Sequence, residues 1–122
     1  MPSYSLHHIH HEAADVPAAI KFYESVFDAT SEDPFIKDGA PWCFVHIGDV
    51  QITVTGREAS DIELCRYKGV DHFALATDDF DATMARIEEK GVSIWFGPKN
   101  ATPNRMVFID GPDNVKIELL EK

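Results

Sequence analysis

The chain is 122 residues long, and 21 Asp and Glu against 11 Lys and Arg give it a formal charge of −10. With 44% apolar residues it is one domain that buries an ordinary core without needing disulfides or a metal to stay folded, and its acidity with no basic stripe excludes nucleic acid and disfavours an anionic membrane surface. No apolar run approaches the ~20 residues that span a bilayer and Met1 to Leu6 lacks the features of a signal peptide, so a cytoplasmic protein is expected, with Cys43 and Cys65 as free thiols.

The first expected element is a strand carrying four of the six histidines. Alternation puts Leu6, His8, His10 and Glu12 on one face and His7, Ile9 and His11 on the other. Asp15 is the expected N-cap of a helix with apolar positions Val16, Ile20, Tyr23 and Phe27, and Pro17 fits its first turn. A strand follows over Trp42 to Ile47, with His46 on the face of Trp42 and Phe44, then a turn at Gly48-Asp49 and a strand from Val50. After the polar stretch 58–67, His72, Ala74 and Ala76 share one face of a strand, and Phe73 and Leu75 share the other. Asp79 caps a second helix through Phe80, Met84 and Ile87, which stops at Gly91. Met106 to Ile109 is a buried strand, Gly111 to Asn114 a turn, and Val115 to Glu118 the start of a last strand.

These elements repeat. His8 and Asp15 recur as His72 and Asp79 at an offset of 64, Trp42-Cys43-Phe44-Val45 recurs as Met106-Val107-Phe108-Ile109 at the same offset, and Val50 to Thr53 matches Val115 to Glu118 at 65. The chain is therefore expected to be a single domain over 1–122, made of two modules of strand, helix and about three strands, one at 4–57 and one at 68–122, joined by 58–67. The fold class is α+β, with helices on one face of antiparallel sheets. By the repeat, His8 and His72 occupy equivalent faces, as do Thr53 and Glu118. His11-Glu12-Ala13-Ala14-Asp15 is not a zincin motif, because Asp15 caps the helix and His11 lies before it. There is no GxGxxG, phosphate loop or GxSxG.

Leu6-His7-His8-Ile9 leading to Asp15 and Phe22-Tyr23, Asp71-His72 leading to Asp79, and Asp110-Gly111-Pro112-Asp113-Asn114 leading into Lys116-Ile117-Glu118-Leu119 together resemble the vicinal oxygen chelate (VOC) superfamily. That family includes glyoxalase I, fosfomycin resistance proteins, methylmalonyl-CoA epimerase and extradiol dioxygenases. The resemblance implies two βαβββ modules forming a cup-shaped mixed sheet around a divalent metal, one ligand coming from each of four equivalent strands. Carried over, the four positions are His8, Thr53, His72 and Glu118. Threonine is a poor ligand, so His8, His72 and Glu118 are the implied metal set, and Fe, Mn, Ni and Zn all suit two His and one carboxylate.

His10 shares the face of His8 and is a candidate general base, and Glu118 is counted with it as a catalytic residue. His7, His11 and His46 stay unassigned. Trp42, Phe44, Trp95 and Phe108 are either a wall for an aromatic or acyl substrate or simply core. The resemblance implies a metal-dependent enzyme acting on a small molecule chelated through vicinal oxygens, as a lyase or isomerase or as a dioxygenase, and a homodimer. Glyoxalase I itself is disfavoured because Thr53 stands at its fourth ligand. A thiol-transferring fosfomycin enzyme is disfavoured by His10 and Phe96, which replace its catalytic threonine and a lysine. The alternative is a metal-free binding protein that sequesters a drug, like the bleomycin resistance members of the fold. Whether one site draws on one chain or two is left open.

Overall fold

The computed structural model of the protein describes residues 3, 6–57, 70, 72–100 and 104–122. The stretch 58–67, with Cys65, and Asp71 lie outside them. The chain divides into two compact units, Met1–Ile62 and Glu63–Lys122. The first holds β1 (Ile9–Glu12), α1 (Val16–Phe27), β2 (Thr30–Ser31), β3 (Phe35–Lys37), β4 (Ala40–Ile47) and β5 (Val50–Thr55). The second holds β6 (Phe73–Thr77), α2 (Phe80–Glu89), β7 (Ile94–Asn100), β8 (Arg105–Asp110), a 3-10 turn at Pro112–Asn114 and β9 (Lys116–Glu121). This is the α+β architecture expected.

Strand order is β1-β5-β4-β2 in the first sheet, where β3 also pairs with β4, and β6-β9-β8-β7 in the second. In both, the first strand of the unit lies parallel to the last, and the remaining pairs are antiparallel. Ile9 pairs with Ile52 and His10 with Thr53 in one unit, and Phe73 with Ile117 and Ala74 with Glu118 in the other. The offsets of 64 and 65 read from the sequence are thus the offsets of the hydrogen-bonded registers.

Each sheet buries one face. In the first unit Cys43, Val45, Ile52 and Val54 are buried, as are Val16, Ala19, Tyr23 and Val26 of α1. His11, on the same face of β1 as Ile9, is 4% exposed and its Nδ1 lies 2.9 Å from the Tyr23 hydroxyl. In the second unit the core is Val107, Ile109, Ile117 and Leu119 with Phe80 and Ile87 of α2. Cys43 is a free, buried thiol whose pKa burial pushes up, so it behaves as a small apolar side chain.

The helix ends follow from their capping residues. Asp15 and Asp79 are extended, and each accepts a hydrogen bond from the third residue on, Ala18 at 3.0 Å and Ala82 at 2.9 Å. Gly91, with φ +65°, reverses the chain after α2, and the Val92 N–H returns to the Ile87 carbonyl.

One expectation is corrected. The first strand begins at Ile9 rather than Leu6. His7 and His8 precede it, and their Nδ1 atoms lie 2.8 Å apart, so strand alternation does not set their faces. The strand expected over Trp42 to Ile47 is β4, and two short strands not placed from the sequence, β2 and β3, come before it. Pro34 lies in the break between these two, where it supplies no N–H to a ladder and restricts the residue before it.

The two caps are equivalent, so Asp15→Ala and Asp79→Ala should each cost about 1 kcal/mol in urea unfolding. An asparagine at either position should recover most of the loss.

Candidate functional site

The registers decide which side chains stand opposite the helix. In the first unit these are His10 and Glu12 of β1, Gln51, Thr53 and Thr55 of β5, and Trp42, Phe44 and His46 of β4, because His10 pairs with Thr53, Thr53 with Phe44 and Thr55 with Trp42. Thr53 and Thr55 are 3% and 0% exposed. Buried hydroxyls need partners, and both have them. Gln51 Nε2 lies 3.3 Å from Thr53 Oγ1.

Thr55 has the stronger arrangement. Its hydroxyl donates to Glu12 Oε2 at 2.6 Å, and His10 Nε2 sits 2.6 Å from the same Thr55 oxygen. Glu12 also accepts from the Arg57 backbone N–H at 2.6 Å and from Arg57 Nε at 2.9 Å. Burial alone would raise the Glu12 pKa, and it is the largest single influence. The hydrogen bonds from Thr55 and Arg57 together outweigh it, so the carboxyl is held below its ordinary value. His10 is also held below its ordinary value, first by burial and then by the charge of Arg57. Beside it stand three aromatic rings. The His10 ring is 5.9 Å from Trp42, Phe35 stacks on Trp42 at 6.1 Å and meets Phe44 at 5.4 Å.

In the second unit the matching face carries His72, Ala74 and Ala76, then Lys116, Glu118 and Leu120 of β9 and Met106, Phe108 and Asp110 of β8. His72 Nε2 is 3.2 Å from Glu118 Oε2, with side-chain exposures of 30% and 19%. The His72 ring meets Phe108 edge-on at 4.7 Å, and Trp95 stacks on Phe108 at 5.2 Å, with Phe96 beside both. Lys116 is engaged by Asp110 and Asn114.

A family model described as the Glyoxalase/Bleomycin resistance protein/Dioxygenase superfamily matches residues 5–119. The chain belongs to this superfamily. Over 88% of its length it is 30% identical to a lactoylglutathione lyase of Haemophilus influenzae, covering 84% of that protein. Among solved superfamily structures, a glyoxylase/bleomycin resistance protein/dioxygenase domain from Frankia sp. EAN1pec matches with a TM-score of 0.84 at 14% identity, over 98% of this chain and 93% of that one. A variant of the fosfomycin resistance protein FosX from Listeria monocytogenes, complexed with Mn(II) and 1S,2S-dihydroxypropylphosphonic acid, matches with a TM-score of 0.80 at 19% identity, over 99% and 93% of the two chains. These likenesses place the fold in the superfamily.

The spacing of the two donors in the second unit is one a divalent metal could accept. Two ligand atoms each ~2.1 Å from one ion, at octahedral to tetrahedral angles, lie about 3.0–3.4 Å apart, and the His72 and Glu118 atoms are 3.2 Å apart. The superfamily position equivalent to Glu118 in the first unit is Thr53, which is hydrogen-bonded to Gln51 and offers no carboxylate. Within neither unit do the described residues gather three His, Cys, Asp or Glu into one metal-binding group.

Of the residues singled out from the sequence, His72 and Glu118 come together, His10 faces Thr55, and His8 lies beside His7. His11 is core and His46 pairs with Glu32 at 2.6 Å. Glu12, Thr55, Arg57 and Phe35 were not anticipated. The i, i+2 spacing of His10 and Glu12 was the available signal for the first of these.

Because the folded Glu12 carboxyl is depressed, its ionised form stabilises the fold above the ordinary value of 4.5, and the benefit is lost as pH falls through the lowered folded value. Glu12→Gln should therefore cost about 1 kcal/mol at neutral pH, allowing for solvent screening. The gap between variant and parent urea midpoints should close on acidification. A gap that stays constant with pH would contradict this account.

Proposed function

We propose that the chain is a metal-dependent enzyme that binds a small molecule through two adjacent oxygens, with His8, His72 and Glu118 as metal ligands. His10 moves the proton, and the working form is a homodimer. The observation that carries the reading is the His72–Glu118 pair, a nitrogen and an oxygen donor held 3.2 Å apart on neighbouring backbone. Two imidazoles and one carboxylate leave a divalent ion with residual charge and open positions. When bound, the metal supplies Lewis-acid polarisation of a substrate oxygen.

The chain's own residues do the rest. Phe108 packs edge-on against the His72 ring and Trp95 stacks on Phe108, which gives the donor pair an apolar side. His10, held neutral by burial and by Arg57, accepts a proton from the substrate. Of the two reaction classes, lyase or isomerase draws support from the lactoylglutathione lyase relative. The reaction of glyoxalase I itself is disfavoured by Thr53. Fe, Mn, Ni and Zn all suit the donor set.

The test is metal content after purification without chelator, followed by titration with Fe, Mn, Ni and Zn. Stoichiometric uptake is expected. His8→Ala, His72→Ala and Glu118→Ala should each lower affinity by more than about 100-fold, beyond the loss of a merely supporting residue, while Thr53→Ala leaves it unchanged. Failure to take up any of the four ions would overturn the enzyme reading and leave a metal-free binding protein.

A further inference from the structure

The hydrogen bonds around Thr55 run in one direction only. Glu12, ionised and accepting from Thr55 and twice from Arg57, has no proton to give. A threonine hydroxyl has one hydrogen, and it is committed to Glu12 at 2.6 Å. Toward His10 the Thr55 oxygen therefore presents lone pairs, and the 2.6 Å contact requires the hydrogen to sit on His10 Nε2. A neutral imidazole protonated at Nε2 has an unprotonated Nδ1, and the His10 side chain is 31% exposed.

The geometry points to Thr55 and Glu12 as positioning residues, with Arg57 behind them, that lock His10 in its Nε2–H tautomer and leave Nδ1 as the acceptor offered to substrate. The inference rests on His10 being the proton-moving group of the proposed reaction, and it adds what orients that group. The same logic operates where a buried carboxylate fixes the tautomer of a catalytic histidine, here with a hydroxyl interposed.

The second unit shows that the fold does not need this chain of bonds. In the matching register, the positions of His10, Glu12 and Thr55 are taken by Ala74, Ala76 and Leu120. The same parallel strand pair forms there with apolar side chains at those three positions. The first unit buries a hydroxyl and partly buries a carboxylate and an imidazole instead, a choice that is neutral at best for stability and gains a directed imidazole. Thr55 is fully buried beneath the pair, so water does not compete for its single hydrogen.

The two-bond 15N–1H correlation pattern of His10, recorded on metal-free protein at mildly alkaline pH, reads the tautomer directly. The Nε2–H form should dominate, with Nδ1 at the shift of an unprotonated ring nitrogen. Thr55→Val removes the acceptor at constant shape and should move both nitrogens toward averaged shifts, and Thr55→Ser should restore the parent pattern. Glu12→Gln, at the solvent end of the chain, should lower the Nε2–H excess, and it serves if the valine variant does not fold. A parent spectrum dominated by Nδ1–H, or averaged between the two forms, would overturn the inference. So would a folded Thr55→Val with the parent pattern. Because no metal is present, these outcomes are independent of the uptake experiment, and either proposal can fail alone.

Discussion

Each unit closes by laying its first strand parallel to its last, and everything placed on the face away from the helix depends on that one register. The pairing is set by apolar residues on the buried side: Ile9 opposite Ile52 in one unit, Phe73 opposite Ile117 in the other. Slipping either pair by one residue would carry Ile52 or Ile117 to the wrong face and the polar residues into the core, a loss no polar contact offsets. The core thus aims His10 at Thr55 and brings His72 to Glu118.

With the frame shared, the two units have used it differently. The second holds one histidine and one carboxylate against aromatic rings and is apolar where the first has His10, Glu12 and Thr55. The first has Thr53 at the position of that carboxylate, and carries a row of hydrogen bonds from Arg57 through Glu12 and Thr55 to His10.

Much of this was legible in the residues. The offset of 64, stepping to 65 across the longer second turn, gave which positions correspond between the two units, because a duplicated core keeps its pairing, but not that the first strand of each unit pairs in parallel with its last. The caps at Asp15 and Asp79 and the split between His10 and His11 followed from local chemistry and alternation. Thr55 was not legible as a functional residue, since threonine near the end of a strand is an ordinary β-former and its one hydrogen acquires a direction only when Glu12 is beside it. Arg57 lies past the strand end, where periodicity says nothing. His7 and His8 defeated alternation because the ladder starts after them. The break between β2 and β3 was written in Pro34, but the short flanking runs gave no pattern to measure it against.

The closing of first strand on last also sets a condition on synthesis. A strand that pairs with its sequence neighbour can fold as it leaves the ribosome, whereas β1 has no partner until β5 has been made, and α1 and β4 must wait with one side uncovered. Each unit is therefore a non-local closure of the slow kind, completed only when its final strand emerges.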